Sequence, residues 1–102
     1  MVEKHYVLVV KSSCPHCKNA LATLRDKNLS FVYTDMEYAT QVLEETKRQS
    51  DWQTVPMIWE QTVDWSNPAQ QVLSNEFIGG YSELDERLNA ATLDEQNRLD
   101  DD

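Results

Sequence analysis

Tyr6-Val7-Leu8-Val9-Val10-Lys11-Ser12-Ser13-Cys14-Pro15-His16-Cys17 joins an apolar, β-branched run directly to the two cysteines of the chain. The run Tyr6–Val10 reads as a strand. Beyond it Cys17, Ala20, Leu21 and Leu24 recur at i, i+3, i+4 and i+7, one face of a helix that ends near Asn28. Pro15 suits the first helical position, where its missing N–H costs nothing. Cys14 therefore falls near the N-cap. There the unpaired backbone N–H groups and the helix dipole favour a thiolate over a thiol. Cys17 lies on the apolar face, and buried thiols stay protonated and inert. The pattern predicts an accessible nucleophile, Cys14, and a resolving thiol, Cys17.

Further along, Phe31-Val32-Tyr33-Thr34 predicts a second strand, and Ala39, Val42, Leu43 and Thr46 mark a second helical face running to about Ser50. Met57-Ile58-Trp59 and Glu76-Phe77-Ile78 predict two more strands, the last stopped by Gly79-Gly80. Ser82 reads as the N-cap of a final helix through Leu84, Leu88 and Ala91. The order is β-α-β-α-β-β-α, an α/β fold with a four-stranded mixed sheet and flanking helices. The first two strands, joined through a helix, should be parallel with a right-handed crossover. The last two can pair as antiparallel neighbours. Gln61–Asn75 exceeds a hairpin turn and reads as an insertion, with a short helix started by Pro68 and running to Leu73. Residues 1–92 form the domain, and 93–102 an acidic, solvated C-terminal tail.

Composition narrows the function classes. A chain of 102 residues, 40% hydrophobic and 26% charged, supports one domain with a core and is neither disordered nor membrane-embedded. No apolar run approaches the ~20 residues of a membrane-spanning helix. Tyr6–Val10 is too short for a signal-peptide core, and no small-residue cleavage site follows it. The expectation is a cytoplasmic protein without membrane association. The net charge of −9 argues against binding a phosphate backbone, which needs a basic patch. It serves solubility or steers basic partners.

Other residues carry two readings each. His16 can donate to the Cys14 thiolate or stabilise it by charge, or it can simply face solvent. A zinc site would need four ligands, and only His5 and His16 could add nitrogen, so no metal site is expected. His5 itself reads as a surface residue. Lys11, three residues before Cys14, can set a cation beside the thiolate and an anionic substrate, or be solvated like most lysines. Pro56 in Thr54-Val55-Pro56 belongs at a strand start because it cannot donate to a ladder. On the bare sequence an ordinary trans bond is favoured there. Gly79-Gly80 permits positive φ or a close backbone approach, or marks an ordinary turn.

Lys11, Cys14-Pro15-His16-Cys17, Thr54-Val55-Pro56 and Phe77-Ile78-Gly79-Gly80-Tyr81-Ser82-Glu83-Leu84, in this order, resemble the dithiol glutaredoxins over about residues 5–92. Compact members of this kind also occur in bacteriophages. The resemblance implies a thioredoxin fold and a cis Val55–Pro56 bond facing the cysteines. It implies a glutathione-dependent thiol–disulfide oxidoreductase that reduces protein disulfides and glutathione mixed disulfides, ribonucleotide reductase among its candidate recipients. Glutathione would be a co-substrate, no cofactor would be tightly bound, and the protein would be a monomer. Carried over residue by residue, Lys11 would bind a glutathione carboxylate. Thr54, Val55 and Pro56 would hold the cysteinyl portion through the Val55 backbone. Gly80, Tyr81 and Ser82 would hold the γ-glutamyl end. The chain departs from the pattern at His16, where an aromatic is usual, and at Glu83, where aspartate is usual. Ser50–Gln53 is less basic than in many members, and Gln61–Asn75 replaces a tight turn. Three alternatives stand beside this reading: a thioredoxin-like reductase recycled by a protein, a glutathione-ligated iron–sulfur carrier, and a non-catalytic interaction module. Pro15 argues against the carrier by stiffening the loop.

Overall fold

Strand β1 covers Val2–Val10, and its second half is the most apolar stretch of the chain. The computed structural model of the protein describes residues 2–66 and 71–100, with side chains through residue 90. Alternation along β1 sends Tyr6, Leu8 and Val10 to one face of the sheet and Val9 to the other. The first face packs on Cys17, Ala20 and Leu24 of α1 (Pro15–Asp26) and on Leu84 and Leu88 of α3 (Tyr81–Asp100). The second packs on Leu43 of α2 (Thr40–Ser50), together with Met57. Leu8, Leu24, Met57, Ile58 and Leu84 have no exposed surface. Burying each contributes about 1.5–3 kcal/mol.

The sheet has the order β2-β1-β3-β4, with β2 at Ser30–Asp35, β3 at Met57–Asp64 and β4 at Gln71–Gly79. β1 and β2 are parallel, while β1–β3 and β3–β4 are antiparallel. This is the mixed sheet and the helix placement of a thioredoxin-like α/β fold, as the pattern of elements predicts. No helix among the described residues is long and apolar enough to cross a membrane.

Four expectations are corrected. Within Gln61–Asn75, residues 61–64 and 71–75 do not interrupt the sheet but extend it. β3 and β4 run on as a long hairpin, paired from Ile58↔Gly79 to Asp64↔Gln71. The same extension pairs β3 with the first half of β1, down to Val2↔Asp64. The helix expected at Pro68–Leu73 is therefore not formed at Val72 and Leu73, which belong to β4. Pro68–Gln70 lie outside the described residues. In the hairpin, β4 pairs its backbone with β3 along one edge, and Val63 falls to 3% exposure. Helix α3 begins at Tyr81, so Gly80 and not Ser82 stands at its cap, its carbonyl accepting the Leu84 N–H at 3.1 Å. The backbone of α3 runs on to Asp100, through most of the acidic stretch after residue 92. Finally, His5 is half-buried within β1, its Nδ1 2.8 Å from Ser30 Oγ and its ring edge-on to Trp65.

Candidate active site

The parallel pair β1–β2 ends at Val10 and Asp35, and the chain turns from Val10 into α1 at the sheet's edge. Cys14 is the N-cap residue, with extended backbone (φ −92°, ψ 116°), and Pro15 opens the helix. The Cys14 N–H donates to Lys11 O at 3.1 Å, closing the loop. The Cys17 N–H donates to Cys14 Sγ at 3.2 Å. Cys14 is partly exposed and Cys17 is 1% exposed, and both are free thiols. Burial, followed by the hydrogen bond with Cys14, pushes the Cys17 thiol up to about 12. One sulfur is thus reachable from solvent and the other is buried.

A second segment closes the site from across the sheet. The Val55–Pro56 peptide is cis, as the resemblance implies. Val55 O lies 3.7 Å from Cys14 Sγ, so the loop before β3 meets the nucleophile directly. From there a groove of about 260 Å³ runs between Thr54, Val55 and Pro56 on one side and Gly80, Tyr81 and Ser82 on the other. His16, Trp52 and Glu83 complete its walls. The two glycines of the chain have separate reasons. Gly79 holds φ 113°, which L side chains rarely adopt, and a Cβ there would lie 2.9 Å from Glu83 Cγ. At Gly80 a Cβ would lie 3.5 Å from Pro56 O and 3.8 Å from the Trp52 ring, filling the groove. A larger hollow of about 520 Å³ on α2, lined by Thr40, Glu44, Arg48 and neighbours, shares no residue with this groove.

Thr54, Val55, Pro56, Gly80, Tyr81 and Ser82 thus meet in one groove, and the carbonyl of Val55 on its wall lies 3.7 Å from Cys14 Sγ. His16 stands on its rim, exposed, and makes no hydrogen bond to Cys14 among the described residues. The donor on that sulfur is the Cys17 N–H. Lys11 is not part of the groove wall; its Nζ lies 4.0 Å from Glu37 Oε2. Sequence reasoning missed Trp52 as a wall of the groove. Its ring packs edge-on to Phe77 at 5.5 Å between centroids, and its Nε1 is buried without a hydrogen-bond partner among the described residues. A large aromatic two residues before Thr54 was the available signal. It missed Asp35 and Glu37 as well, since neither falls in a recognisable motif. No cluster of three or more His, Cys, Asp or Glu that could hold a metal occurs among the described residues.

Comparison with protein families places residues 6–63 on the model described as Glutaredoxin, more than half of the chain. The matched stretch contains both cysteines and Thr54-Val55-Pro56, and it stops before the Gly80–Ser82 side of the groove. A search of curated proteins finds no match.

Proposed function

The chain belongs to the glutaredoxin family of thiol–disulfide oxidoreductases, and from that premise we propose that it is a glutathione-dependent dithiol enzyme reducing protein disulfides and glutathione mixed disulfides. The observation that carries the reading is the groove beside Cys14, whose Val55 carbonyl lies 3.7 Å from Cys14 Sγ. It joins the bend at Val55, before the cis Pro56, to the N-terminus of α3 at Gly80–Ser82. An extended peptide with a carboxylate at one end fits such a groove: backbone groups pair along it, and a helix N-terminus favours the anion.

The chemistry is thiol exchange. The Cys14 thiolate attacks one sulfur of the substrate disulfide, and the other sulfur leaves as a thiolate that takes a proton from water. Cys17 then loses its proton and attacks Cys14 Sγ. The substrate's second sulfur leaves, and a Cys14–Cys17 disulfide carries away the two electrons' worth of oxidation. A glutathione thiolate in the groove attacks Cys14 Sγ and returns the electron pair to Cys17. A second glutathione attacks the glutathionyl sulfur, giving glutathione disulfide and the reduced enzyme. The buried, protonated Cys17 does not compete in the first step, yet it is already in place for the second.

The test is turnover of a glutathione mixed disulfide, coupled to glutathione and its reductase, for wild type, Cys14→Ser and Cys17→Ser. Cys14→Ser should be inactive on every disulfide. Cys17→Ser should lose protein-disulfide reduction yet keep deglutathionylation, since glutathione can resolve that intermediate itself. Turnover only with a protein reductase, and none with glutathione, would replace this reading with the thioredoxin-like one.

A further inference from the structure

We infer that Glu37 sets substrate selectivity. Its carboxylate competes with an anionic substrate for the Lys11 ammonium, so the site discriminates against small acidic disulfides relative to neutral ones. The inference rests on the proposed glutathione dependence and on the role that the resemblance gives Lys11, binding a glutathione carboxylate from outside the groove wall.

Lys11 is one hydrogen bond from the nucleophile, through its carbonyl to the Cys14 N–H. Its ammonium lies 4.0 Å from Glu37 Oε2, with the lysine side chain 38% exposed and the glutamate 18%. That glutamate oxygen is buried and accepts no hydrogen bond among the described residues. A carboxylate oxygen withdrawn from water without a donor is costly and holds whatever cation is near. Lys11 is that cation. The placement is built into the frame rather than left to two flexible side chains. Asp35 Oδ1 accepts the Ser12 N–H at 3.2 Å and the Glu37 N–H at 3.0 Å, tying the loop that carries Lys11 to the loop that carries Glu37. The Met36 N–H donates to Val10 O at 2.8 Å and carries the parallel ladder one step further into that loop.

The charge consequence is direct. An approaching carboxylate meets a lysine already paired with a carboxylate, with Glu83 on the groove wall and a net charge of −9 on the chain. A neutral disulfide loses nothing by this. A protein disulfide, held by many contacts, depends little on Lys11.

The experiment mixes the fully reduced, full-length protein with excess disulfide and reads the second-order rate constant of thiol oxidation. The probes are glutathione disulfide, which is anionic, and hydroxyethyl disulfide, which is neutral. The proteins are wild type, Glu37→Gln, Lys11→Met and the double variant. Glu37→Gln should raise the ratio of the two rate constants, anionic over neutral, by about two- to fivefold, the range of a partly exposed ion pair. In the Lys11→Met background the same change should move the ratio by less than about 1.5-fold, because the pair is gone. An unchanged ratio in Glu37→Gln overturns the inference. So does an equal rise in both backgrounds, which would show general charge repulsion rather than competition for Lys11. If glutathione disulfide oxidises neither wild type nor Glu37→Gln while hydroxyethyl disulfide oxidises both, the glutathione reading falls as well. An unchanged ratio in a reactive wild type removes Glu37 alone.

Discussion

At Cys17 a single side chain ties the chemistry to stability. It is 1% exposed, and burial pushes its thiol up to about 12. In the unfolded chain a thiol titrates near ~8.5. The folded state therefore binds the proton more tightly, and this contribution is complete below pH ~8.5. It is lost as pH rises from there towards about 12, at no more than ~1.4 kcal/mol per pH unit. Urea unfolding of the reduced protein at pH 8 and pH 10 should show that loss, and Cys17→Ala should lack it. Equal pH slopes for the two would mean that Cys17 is not held protonated in the fold. The same residue explains why roles could be assigned early: the i, i+3, i+4, i+7 face that buries Cys17 is a local pattern. His16 was not so readable. Lying two residues from Cys14 in sequence says nothing about which way an imidazole on an exposed turn faces.

Among the elements, the β3–β4 hairpin departs most from expectation. Its outer half pairs with β1 from Val2 to His5 and buries Val63, while Val72 and Leu73 stay half exposed. No residue of the groove lies between Gln61 and Asn75. Replacing that segment with an Asn-Gly turn should preserve turnover of a small mixed disulfide. It should also remove about 1–3 kcal/mol of stability, from Val63 and the unpaired start of β1. Loss of small-substrate turnover in a variant with native circular dichroism would show that the arm shapes the site. Two successive apolar residues after a proline fit a strand as well as a short helix, and only the partner strand distinguishes them.

For the whole molecule, one polar network joins β1, β3 and β4 to α3. Glu60 is 8% exposed on β3. It accepts the Tyr6 hydroxyl of β1 at 2.9 Å and Arg87 Nη1 of α3 at 3.0 Å, and Lys4 Nζ stands 3.5 Å away. Arg87 also donates to Glu76 of β4 at 2.6 Å. Burial, then the bond to Glu60, raises the Tyr6 hydroxyl's pKa above its usual range. A buried carboxylate is tolerated only while its partners remain. Arg87→Met should therefore cost about 2 kcal/mol and lower Tm by roughly 8–16 °C, as calorimetry would read. A shift under about 2 °C would show that Tyr6 and Lys4 suffice. Since α3 carries the Tyr81 and Ser82 side of the groove, the same variant should raise KM for the glutathione mixed disulfide more than it lowers kcat.

Taken alone, the sequence determined what depends on neighbours along the chain. The Tyr6–Val10 run, the 3.6-residue periodicity of α1 and Pro15 at its start place one thiol at a helix N-terminus and bury the other. These follow from backbone sterics and hydrophobic spacing, which act over a few residues. The tertiary structure alone decided what depends on residues far apart. Cys14 meets Val55 across 41 positions, and Tyr6 reaches Glu60 across 54. Pairing of β3 with β4 turned an apparent helix into a strand, and two loops tied by Asp35 set Glu37 against Lys11. Each is a pairing of groups that must shed water together, and no single stretch of sequence holds both members.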